Sequence, residues 1–439
     1  MLAIFGEPTM KNGHILFVDN VESFLRERSE FLEAAGYKVL KATSLEEAVN
    51  FFEEARVHLA ILDIRIEDDV DDYDTSGIEL ANNERYKAIP KIMLTGFPTY
   101  EAVRNTLSSR VGEKSAAVAF LSKSEGPEIM VQAVKEAFAQ HVRINWDLVI
   151  KWIEGSPIDF PYCVTHIEPE LEKTLLPDRI DEFEDLFRKL FFEYEQITIS
   201  QLIWSKEGRI CLEVFAFSGE KEEQMIVTCG RVNDLEAEEV NFNKHTPKGY
   251  PGFSQPIVKE TFRYAAIARA ISKQEIDLIM SFAFFFREMS EKQIRDALEN
   301  LYQSTMASWH LQDLTSEGIE SLAQTYRNRM NIVEDHYPLE GLKAYMEMLT
   351  EEAQSKRLME DIFIQDSTIT FKFPNGQSIT LPDPFTRLYE DASFPKPEIM
   401  YGTTLGGLSA NSILVDRECQ TWPTDFSRIG TGLILKDYI

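Results

Sequence analysis

Short apolar runs alternate with stretches of helical period along the first third of the chain. The runs cover residues 15–18, 57–62, 91–94 and 119–121, and each has the length of a buried β-strand. Helical stretches separate them, so the pattern predicts strands joined by helical crossovers. This alternation is typical of a doubly wound parallel sheet, and we expect an α/β domain over residues 1–142.

Polar residues follow each of these predicted strands. Asp19 and Asn20 follow the first run, Asp63 the second, Thr95 the third, and Lys123 comes shortly after the fourth. Ligands bind at the carboxyl ends of the strands in open α/β sheets, so we expect these side chains to converge on one cleft. A carboxylate nucleophile needs a hard cation, an ammonium and a hydroxyl around an incoming phosphoryl group, and this set can supply or hold all three.

These ordered motifs resemble the receiver domain of two-component response regulators over about residues 13–141. The resemblance implies a flavodoxin-like, five-stranded parallel sheet with Asp63 as the phosphoacceptor. It also implies Mg²⁺ held by Asp19, Asn20 and Asp63, and a histidine kinase or a small phosphodonor as the source of the phosphoryl group. The positions that it assigns to phosphate contact and switching are Lys123, Thr95 and Phe120.

Asn20 departs from the family pattern, which usually has a second acidic residue at this position. An amide is still an oxygen ligand but carries no charge, so we expect Mg²⁺ to bind less tightly. The alternative is that Asp63 is a solvated acid in a receiver that serves only as a constitutive scaffold. The acidic stretch 67–74 is interpreted as a solvated loop rather than a calcium loop, because Asn83 stands where a bidentate glutamate is required.

The net charge of −28, from 45 Lys and Arg against 73 Asp and Glu, repels phosphate backbones and argues against nucleic acid as a partner. The length of 439 residues suggests about two to four domains.

Four scattered cysteines without a CxxC pair indicate reduced thiols. No N-terminal segment resembles a signal peptide, and no apolar run reaches roughly 18 residues. We therefore expect a cytoplasmic protein without membrane contact. The sequence does not decide between a monomer and a homodimer.

The chain beyond the receiver-like part is predicted as a mixed α+β region. We expect an amphipathic helix over 144–153 and a proline-broken linker over 154–170, so that residues 143–170 connect two domains. The run 281–286 is expected to form a buried core helix. The other predicted elements are a helix over 178–195, an antiparallel meander over 201–229, a helix over 235–245, a strand over 264–270, mostly helices over 275–356 and a hairpin over 368–381.

This element order, together with the tail sequences 405–416 and 422–426, resembles the aminoglycoside-phosphotransferase and kinase-like group over residues 171–439. The resemblance implies an N-terminal lobe over 171–270 and a helical C-terminal lobe with the hairpin over 271–439. It assigns the ATP-binding lysine to the position of Thr228, the acidic partner of that lysine to Glu238 or Glu239, the catalytic base to Gly407, the second metal ligand to Ser412 and the metal-binding aspartate to Asp425.

Three of these positions lack the side chain that the family's chemistry needs. Thr228 has no ammonium, Gly407 has no side chain and Ser412 replaces a metal ligand, so only Asp425 remains. Phosphoryl transfer depends on positioning and charge neutralisation, and we therefore expect a non-catalytic domain. A receiver joined to such a domain resembles ternary-complex-associated domain proteins of bacterial conflict and signalling systems, which implies an adaptor for an effector protein. The alternatives are an atypical phosphotransferase using Asp425 and an unrelated α+β output domain.

Overall fold

The computed structural model describes residues 13–68, 74–96, 110–111, 114–206, 208–247, 253–254, 256–271, 279–311, 315–316, 360–365, 368–382, 400–434 and 437. The chain divides into two compact units. The first comprises Met1–Met306 and Gly407–Ile429, and the second comprises Ala307–Gly406 and Gly430–Ile439. No helix in the described stretches is both long enough and apolar enough to cross a membrane.

The first unit begins with seven strands: β1 (His14–Val18), β2 (Lys38–Ala42), β3 (Leu59–Asp63), β4 (Lys91–Thr95), β5 (Arg110–Val111), β6 (Lys114–Ser115) and β7 (Ala119–Ser122). Five of them form an all-parallel sheet in the order β2-β1-β3-β4-β7. Strands β5 and β6 form a separate antiparallel pair. The order and the parallel pairing confirm the predicted doubly wound sheet.

Helices cover both faces of this sheet: α1 (Glu22–Ala34), α2 (Leu45–Glu54), α3 (Ser76–Ala81) and α4 (Pro127–Ala137). Alternate residues of β1 enter two separate cores. Ile15 and Phe17 join the apolar cluster of α1 and α4, whereas Leu16 and Val18 join that of α2 and α3. Strand β3 is buried at every position, which explains why its sequence is a continuous apolar run.

A second sheet follows in the same unit, with strands β8 (Val149–Trp152), β9 (Gln196–Lys206), β10 (Arg209–Ser218), β11 (Lys221–Arg231), β12 (Ile257–Glu260) and β13 (Tyr264–Ala270). Its order is β12-β13-β11-β10-β9-β8. All neighbours are antiparallel except β8, which runs parallel to β9, so the predicted meander is confirmed. Helices α5 (Phe160–Ile167) and α6 (Leu176–Leu190) pack on one face, and α7 (Val232–His245) packs on the other.

The predicted helix over 144–153 is wrong, because this segment contains strand β8. Ile150 and Trp152 pack against the core while their neighbours are exposed, which is the period of a strand. Most positions here are apolar, so the sequence is compatible with either period. The predicted linker over 154–170 is wrong as well. Asp159 caps α5 in this stretch, and a proline occupies the first turn of the helix, where it is tolerated rather than disruptive.

The first unit also contains helices α8 (Phe282–Glu288) and α9 (Glu291–Asn300) and a small sheet of β14 (Met280–Ser281), β20 (Ile413–Val415) and β21 (Thr421–Pro423). Helix α8 contains residues 282–286 of the run 281–286 that was expected to form a buried core helix, and Ser281 caps it. Phe285 is buried, but Phe284 and Phe286 are 53% and 59% exposed, so this expectation is wrong. Consecutive residues of a helix point in different directions, and contact on one side therefore buries only some of the rings.

The second unit contains helix α10 (Ala307–His310) and two three-stranded sheets. One sheet consists of β15 (Thr315–Ser316), β19 (Met400–Thr404) and β22 (Gly430–Leu433), and the other of β16 (Asp361–Gln365), β17 (Thr368–Lys372) and β18 (Ser378–Pro382). Strands β17 and β18 form the predicted hairpin, whose Gly376 has a φ of 82° that favours glycine. Of the region 275–356 predicted to be mostly helical, residues 275–278, 312–314 and 317–356 lie outside the described residues.

Candidate functional site

The carboxyl ends of β1, β3 and β7 bring two acids and one lysine into contact. The Nζ atom of Lys123 lies 2.8 Å from Asp63 Oδ2 and 2.9 Å from Asp19 Oδ2. Both carboxylates are buried. Thr95 is the last residue of β4 at the same edge, and its carbonyl oxygen accepts a hydrogen bond from the backbone N–H of Lys123 at 2.7 Å. The parallel topology therefore brings these predicted site residues together, as expected from the strand ends.

The ammonium of Lys123 is held in its charged form. Burial by itself lowers the pKa of this lysine, but the hydrogen bond and negative charge of Asp63, together with the charge of Asp19, outweigh burial and raise the pKa above its usual value. A permanent positive charge therefore stands between two buried carboxylates. Such a charge is suited to binding the oxygens of a phosphoryl group transferred to Asp63.

The oxygen atoms at this edge fit a hard divalent cation. Asn20 Oδ1 is buried and accepts no hydrogen bond from the described part of the chain. Asp19 Oδ1 accepts from the N–H of Val21 at 2.9 Å, and its other oxygen faces Lys123. Within the described stretches no group of three or more His, Cys, Asp or Glu side chains could hold a metal ion. At this edge the amide oxygen of Asn20 stands beside the two carboxylates as a neutral third oxygen. Two carboxylates and one amide fit Mg²⁺.

Gly77 allows helix α3 to pack tightly against the end of β3. Its N–H donates to the carbonyl of Ile64 at 3.0 Å, and a Cβ atom at this position would lie 1.8 Å from the carbonyl oxygen of Asp63. That oxygen is backbone and has little freedom to move. Gly77 therefore fixes the position of the residue that carries the candidate nucleophile.

Replacing Gly77 by alanine should displace the connection between β3 and α3. We expect a loss of about 1–3 kcal/mol in the free energy of unfolding, as for overpacked cores, measured by urea titration of the full chain. Gly96→Ala is a matched control, because among the described residues no atom beyond its chain neighbours lies within 4 Å of a Cβ at that position. Equal stability of the two variants would contradict the expectation.

The acidic stretch 67–74 begins close to Asp63, and residues 69–73 of it lie outside the described residues. Asp74 is engaged with the backbone: its Oδ2 accepts from the N–H groups of Glu67 and Asp68, and its Oδ1 accepts from that of Ser76. Although burial opposes ionisation, these hydrogen bonds lower the pKa of Asp74. Both oxygens thus stabilise the turn into α3.

The assigned positions of the kinase-like resemblance lie partly together around a buried ion cluster, which we define as Arg209, Glu238, Arg269 and Asp425. Arg209 Nη1 is 3.2 Å from Glu238 Oε2 and 3.3 Å from Asp425 Oδ1. Arg269 Nη1 is 3.2 Å from Glu238 Oε1. All four residues are buried. The positive charges of two guanidinium groups, on β10 and β13, are therefore balanced by the negative charges of two carboxylates, on α7 and in the segment 407–429.

Two further assigned positions adjoin this cluster. A Cβ at Gly407 would lie 3.6 Å from Asp425 Oδ2, and the carbonyl of Ser412 accepts from the N–H of Thr424 at 2.8 Å. Thr228 lies on β11, where its hydroxyl donates to the sulfur of Cys211 at 4.0 Å. Glu239 neighbours Glu238 on α7 but is not part of the cluster. The structure thus brings Gly407, Ser412 and Asp425 together, with Glu238 linked to them through Arg209.

Sequence reasoning missed both arginines of the cluster. Burial lowers the pKa of Arg269, whose guanidinium lies 4.4 Å from the ring of Phe242 and 4.8 Å from that of Phe426. Burial likewise raises the pKa of Glu238, against the pull of the two guanidinium groups. The available signal was Arg269, a charged residue between two alanines of a predicted strand, whereas Arg209 follows the turn Glu207-Gly208 and carries no such signal.

A second polar contact joins the receiver-like sheet to helix α6, and we call Arg56, His58, Glu182, Asp185 and Arg263 the receiver joint. Arg56 donates to both oxygens of Asp185, at 2.5 and 2.6 Å. His58 Nε2 lies 2.8 Å from Asp185 Oδ2. Arg263 donates to Glu182 through its backbone N–H at 2.9 Å and its Nη1 at 2.6 Å. The joint lies at the amino end of β3, opposite Asp63.

The protonation state of His58 follows from its hydrogen bonds. The backbone N–H of His14 donates to His58 Nδ1 at 2.8 Å, so the ring proton sits on Nε2 and is donated to Asp185. Burial lowers the pKa of His58 and lowers that of His14 to about 4. Burial also opposes ionisation of Asp185, but His58 and Arg56 hold its pKa at about 2.

Acidification should weaken the receiver joint. Because the pKa values of His14 and His58 are lowered, the folded protein binds fewer protons than the unfolded chain below about pH 6.5, so the stabilisation is complete above that pH and falls as pH decreases. Asp185, with its pKa lowered from 3.8 to about 2, adds a further loss at lower pH. We expect a lower urea midpoint at about pH 5.5 than at about pH 7.5.

His58→Gln retains a donor for Asp185 without a titrating ring, and this variant should show a smaller pH dependence. The control is His166→Gln, at an exposed position of α5, which should behave as the wild type. A pH dependence of the urea midpoint that is the same in all three proteins would show that His58 does not contribute.

Residues 15–135 match the family model of the response regulator receiver domain. Similar solved structures include a CheY-like receiver domain protein from Methanospirillum hungatei JF-1 (26% identity, 29% of this chain and 95% of that chain, TM-score 0.25) and a two-component response regulator from Clostridium difficile (22% identity, 29% and 97%, TM-score 0.24). The comparison with curated proteins gives no match.

The chain therefore carries a response regulator receiver domain, which places it in two-component signalling. Receiver domains generally bind Mg²⁺ and have a histidine kinase as phosphodonor. The region that follows the receiver has no family assignment and consists of mixed α+β sheets.

Proposed function

We propose that this protein is a response regulator in which a histidine kinase or a small phosphodonor phosphorylates Asp63. The observation that carries the proposal is the ammonium of Lys123, in contact with the buried carboxylates of both Asp63 and Asp19. A carboxylate oxygen of Asp63 attacks phosphorus, the bond from phosphorus to the donor breaks, and the donor imidazole or acetate leaves with its electron pair. Lys123 and the hydroxyl of Thr95 then bind the phosphoryl oxygens.

Asp19, Asn20 and Asp63 would hold Mg²⁺ in this function. The bound cation supplies neutralisation of the negative charge on the incoming phosphoryl group. Because Asn20 replaces an acid, the site carries one negative charge fewer than the family pattern, and we expect phosphorylation to require higher Mg²⁺ concentrations. The receiver joint lies at the amino end of β3, so the second sheet meets the receiver at the end opposite Asp63. This placement supports a role for the carboxyl edge of the sheet in receiving a phosphodonor.

Incubation of the full chain with acetyl phosphate and Mg²⁺ tests the proposal. We expect a mass increase of one phosphoryl group, its absence in Asp63→Asn and its retention in the control Asp68→Asn, which changes a nearby acid on the exposed side of the edge. The absence of a mass increase with acetyl phosphate and with phosphorylated histidine kinases would support the constitutive scaffold instead.

For the region after the receiver, we propose a non-catalytic, kinase-like output domain that binds a protein partner. The meander β9–β11 followed by α7 and β13 is consistent with the element order on which the resemblance depends. The contacts among Gly407, Ser412 and Asp425 also support it. Asp425 accepts from Arg209 at 3.3 Å and from Ser427 Oγ at 2.6 Å, so the one acid that remains is already neutralised within the chain.

Thermal unfolding with ATP, in the presence and absence of Mg²⁺, separates this proposal from the atypical phosphotransferase. Mg²⁺ alone is expected to raise the unfolding temperature through the receiver site, but with a non-catalytic domain whose acid is paired to Arg209, ATP should give no further rise in the presence of Mg²⁺. The contrary result is a stabilisation by ATP and Mg²⁺ that disappears in Asp425→Asn and is accompanied by ATP turnover. It would show that the domain is a phosphotransferase and would contradict the proposal of a non-catalytic output domain.

A further inference from the structure

Strand β3 connects two buried polar sites at its opposite ends. Asp63 is its last residue, and His58 directly precedes its first residue. A strand of this length spans roughly 17 Å, and every residue of β3 is buried. A rearrangement of the carboxyl end is therefore transmitted to the amino end through a rigid, packed element rather than through a loop.

An apolar contact runs beside the strand. Phe120 and Phe262 both pack against the cluster formed by α2, α3 and one face of the sheet. Within this region the ring of Tyr86 lies 4.4 Å from that of Phe52 and 5.7 Å from that of Phe262. Repacking of Phe120 therefore acts on a core that Phe262 shares.

Phe262 adjoins the polar part of the receiver joint. The guanidinium of Arg263 lies 4.7 Å from the Phe262 ring and donates to Glu182 and to the backbone carbonyls of Phe52 and Glu53. Asp185, one turn further along α6, is held by Arg56 and His58. These charge-assisted bonds require a narrow geometry, because a displaced partner leaves a buried charge uncompensated.

We propose that helix α6 reads the phosphorylation state of the receiver through Glu182 and Asp185. In the arrangement described, Lys123 contacts the carboxylate of Asp63, which is the unphosphorylated state, and the receiver joint is closed. Phosphorylation draws Lys123 and Thr95 to the phosphoryl group, repacks Phe120 and opens the joint, which releases α6. This inference rests on the proposed phosphorylation of Asp63.

The coupling between the two ends of β3 is reciprocal, since it is a free energy shared by both sites. A variant that opens the joint should therefore favour the phosphorylated state of the receiver. Asp185→Asn should bind the phosphoryl mimic beryllofluoride about tenfold more tightly than the wild type, which lies within the usual range of allosteric coupling.

Hydrogen exchange of the full chain with Mg²⁺ and beryllofluoride tests the proposal. In the wild type we expect slower exchange at β4 and β7 and faster exchange over α6. In Asp185→Asn, the amides of α6 should already exchange fast without beryllofluoride, and adding beryllofluoride should not change their exchange rate. Asp181→Asn is the matched control: it lies on the same helix, is 58% exposed at its side chain and contacts Arg56 only at 3.5 Å. It should behave as the wild type.

The possible results separate the two proposals. Slower exchange at β4 and β7 with α6 unchanged would overturn the coupling and leave the phosphorylation of Asp63 intact. No change at either place would overturn both. Should Asp185→Asn not fold, Arg56→Gln replaces it, because this variant keeps the contact between His58 and Asp185. Its beryllofluoride affinity should also rise, and an unchanged affinity would contradict the coupling.

Discussion

Replacing Lys123 by alanine should slow phosphorylation of Asp63 by acetyl phosphate about 100-fold or more. The ammonium is the cation within hydrogen-bond distance of both Asp63 and Asp19, and no water molecule can supply its charge in a buried site. The rate is measured as the increase of the phosphorylated mass with time at saturating Mg²⁺. Lys135→Ala, at an exposed position of α4, is the control and should retain the wild-type rate.

The same variant should bind Mg²⁺ more tightly than the wild type. Without the ammonium, two buried carboxylates repel each other and lack a counter-ion, so a divalent cation gains in relative affinity. The combination of tighter metal binding and slower phosphorylation distinguishes the role of Lys123 in transfer from a general loss of structure. A rate within about threefold of the wild type would remove Lys123 from the mechanism.

Replacing Glu238 by alanine should reduce the free energy of unfolding by about 3–5 kcal/mol. Glu238 is fully buried and is the carboxylate that links Arg209 to Arg269. Its removal takes from the Arg269 guanidinium its carboxylate partner in the cluster and leaves Arg209 with Asp425. The change is measured by urea unfolding, followed by tryptophan fluorescence. Trp204 is a suitable reporter, because its indole lies 5.5 Å from the Arg209 guanidinium.

Glu236→Ala is the matched control for this prediction. Glu236 lies on the same helix and forms a surface ion pair with Lys87 at 3.2 Å, and such pairs contribute about 0–1 kcal/mol. Glu238→Gln should lie between the two, since an amide can accept one hydrogen bond but carries no charge. If the loss at Glu238 were no larger than at Glu236, the cluster would not stabilise the domain.

The receiver was predictable from the sequence because its information is local. A strand that is buried on both faces must be apolar along its length, and the side chain after it must lie at the carboxyl edge. Asp63, Thr95 and Lys123 could therefore be placed from the order of the strands. Strand β8 could not be predicted in this way, because its apolar residues fit the period of a helix as well as that of a strand. Only its pairing with β9 decides between the two structures.

The buried ion cluster and the receiver joint depend on pairs that are remote in sequence. Arg209 is 216 positions from Asp425, and His58 is 127 positions from Asp185. In the sequence His58 is one polar residue within the apolar run 57–62, and nothing nearby indicates a charged partner. Predicting such contacts requires knowledge of how the two sheets are placed relative to each other, and the periodicity of the sequence carries no information on that placement.

Strand β8 has a consequence for how the two sheets can separate. The receiver's last helical turn ends at Val142, and β8 begins at Val149, so residues 143–148 form the whole covalent connection between the two sheets. Fully extended, they reach roughly 20 Å. A receiver released from α6 therefore remains at a high effective concentration near it, and recapture is an intramolecular event whose rate does not depend on protein concentration. The output would then be a reversible opening within one molecule.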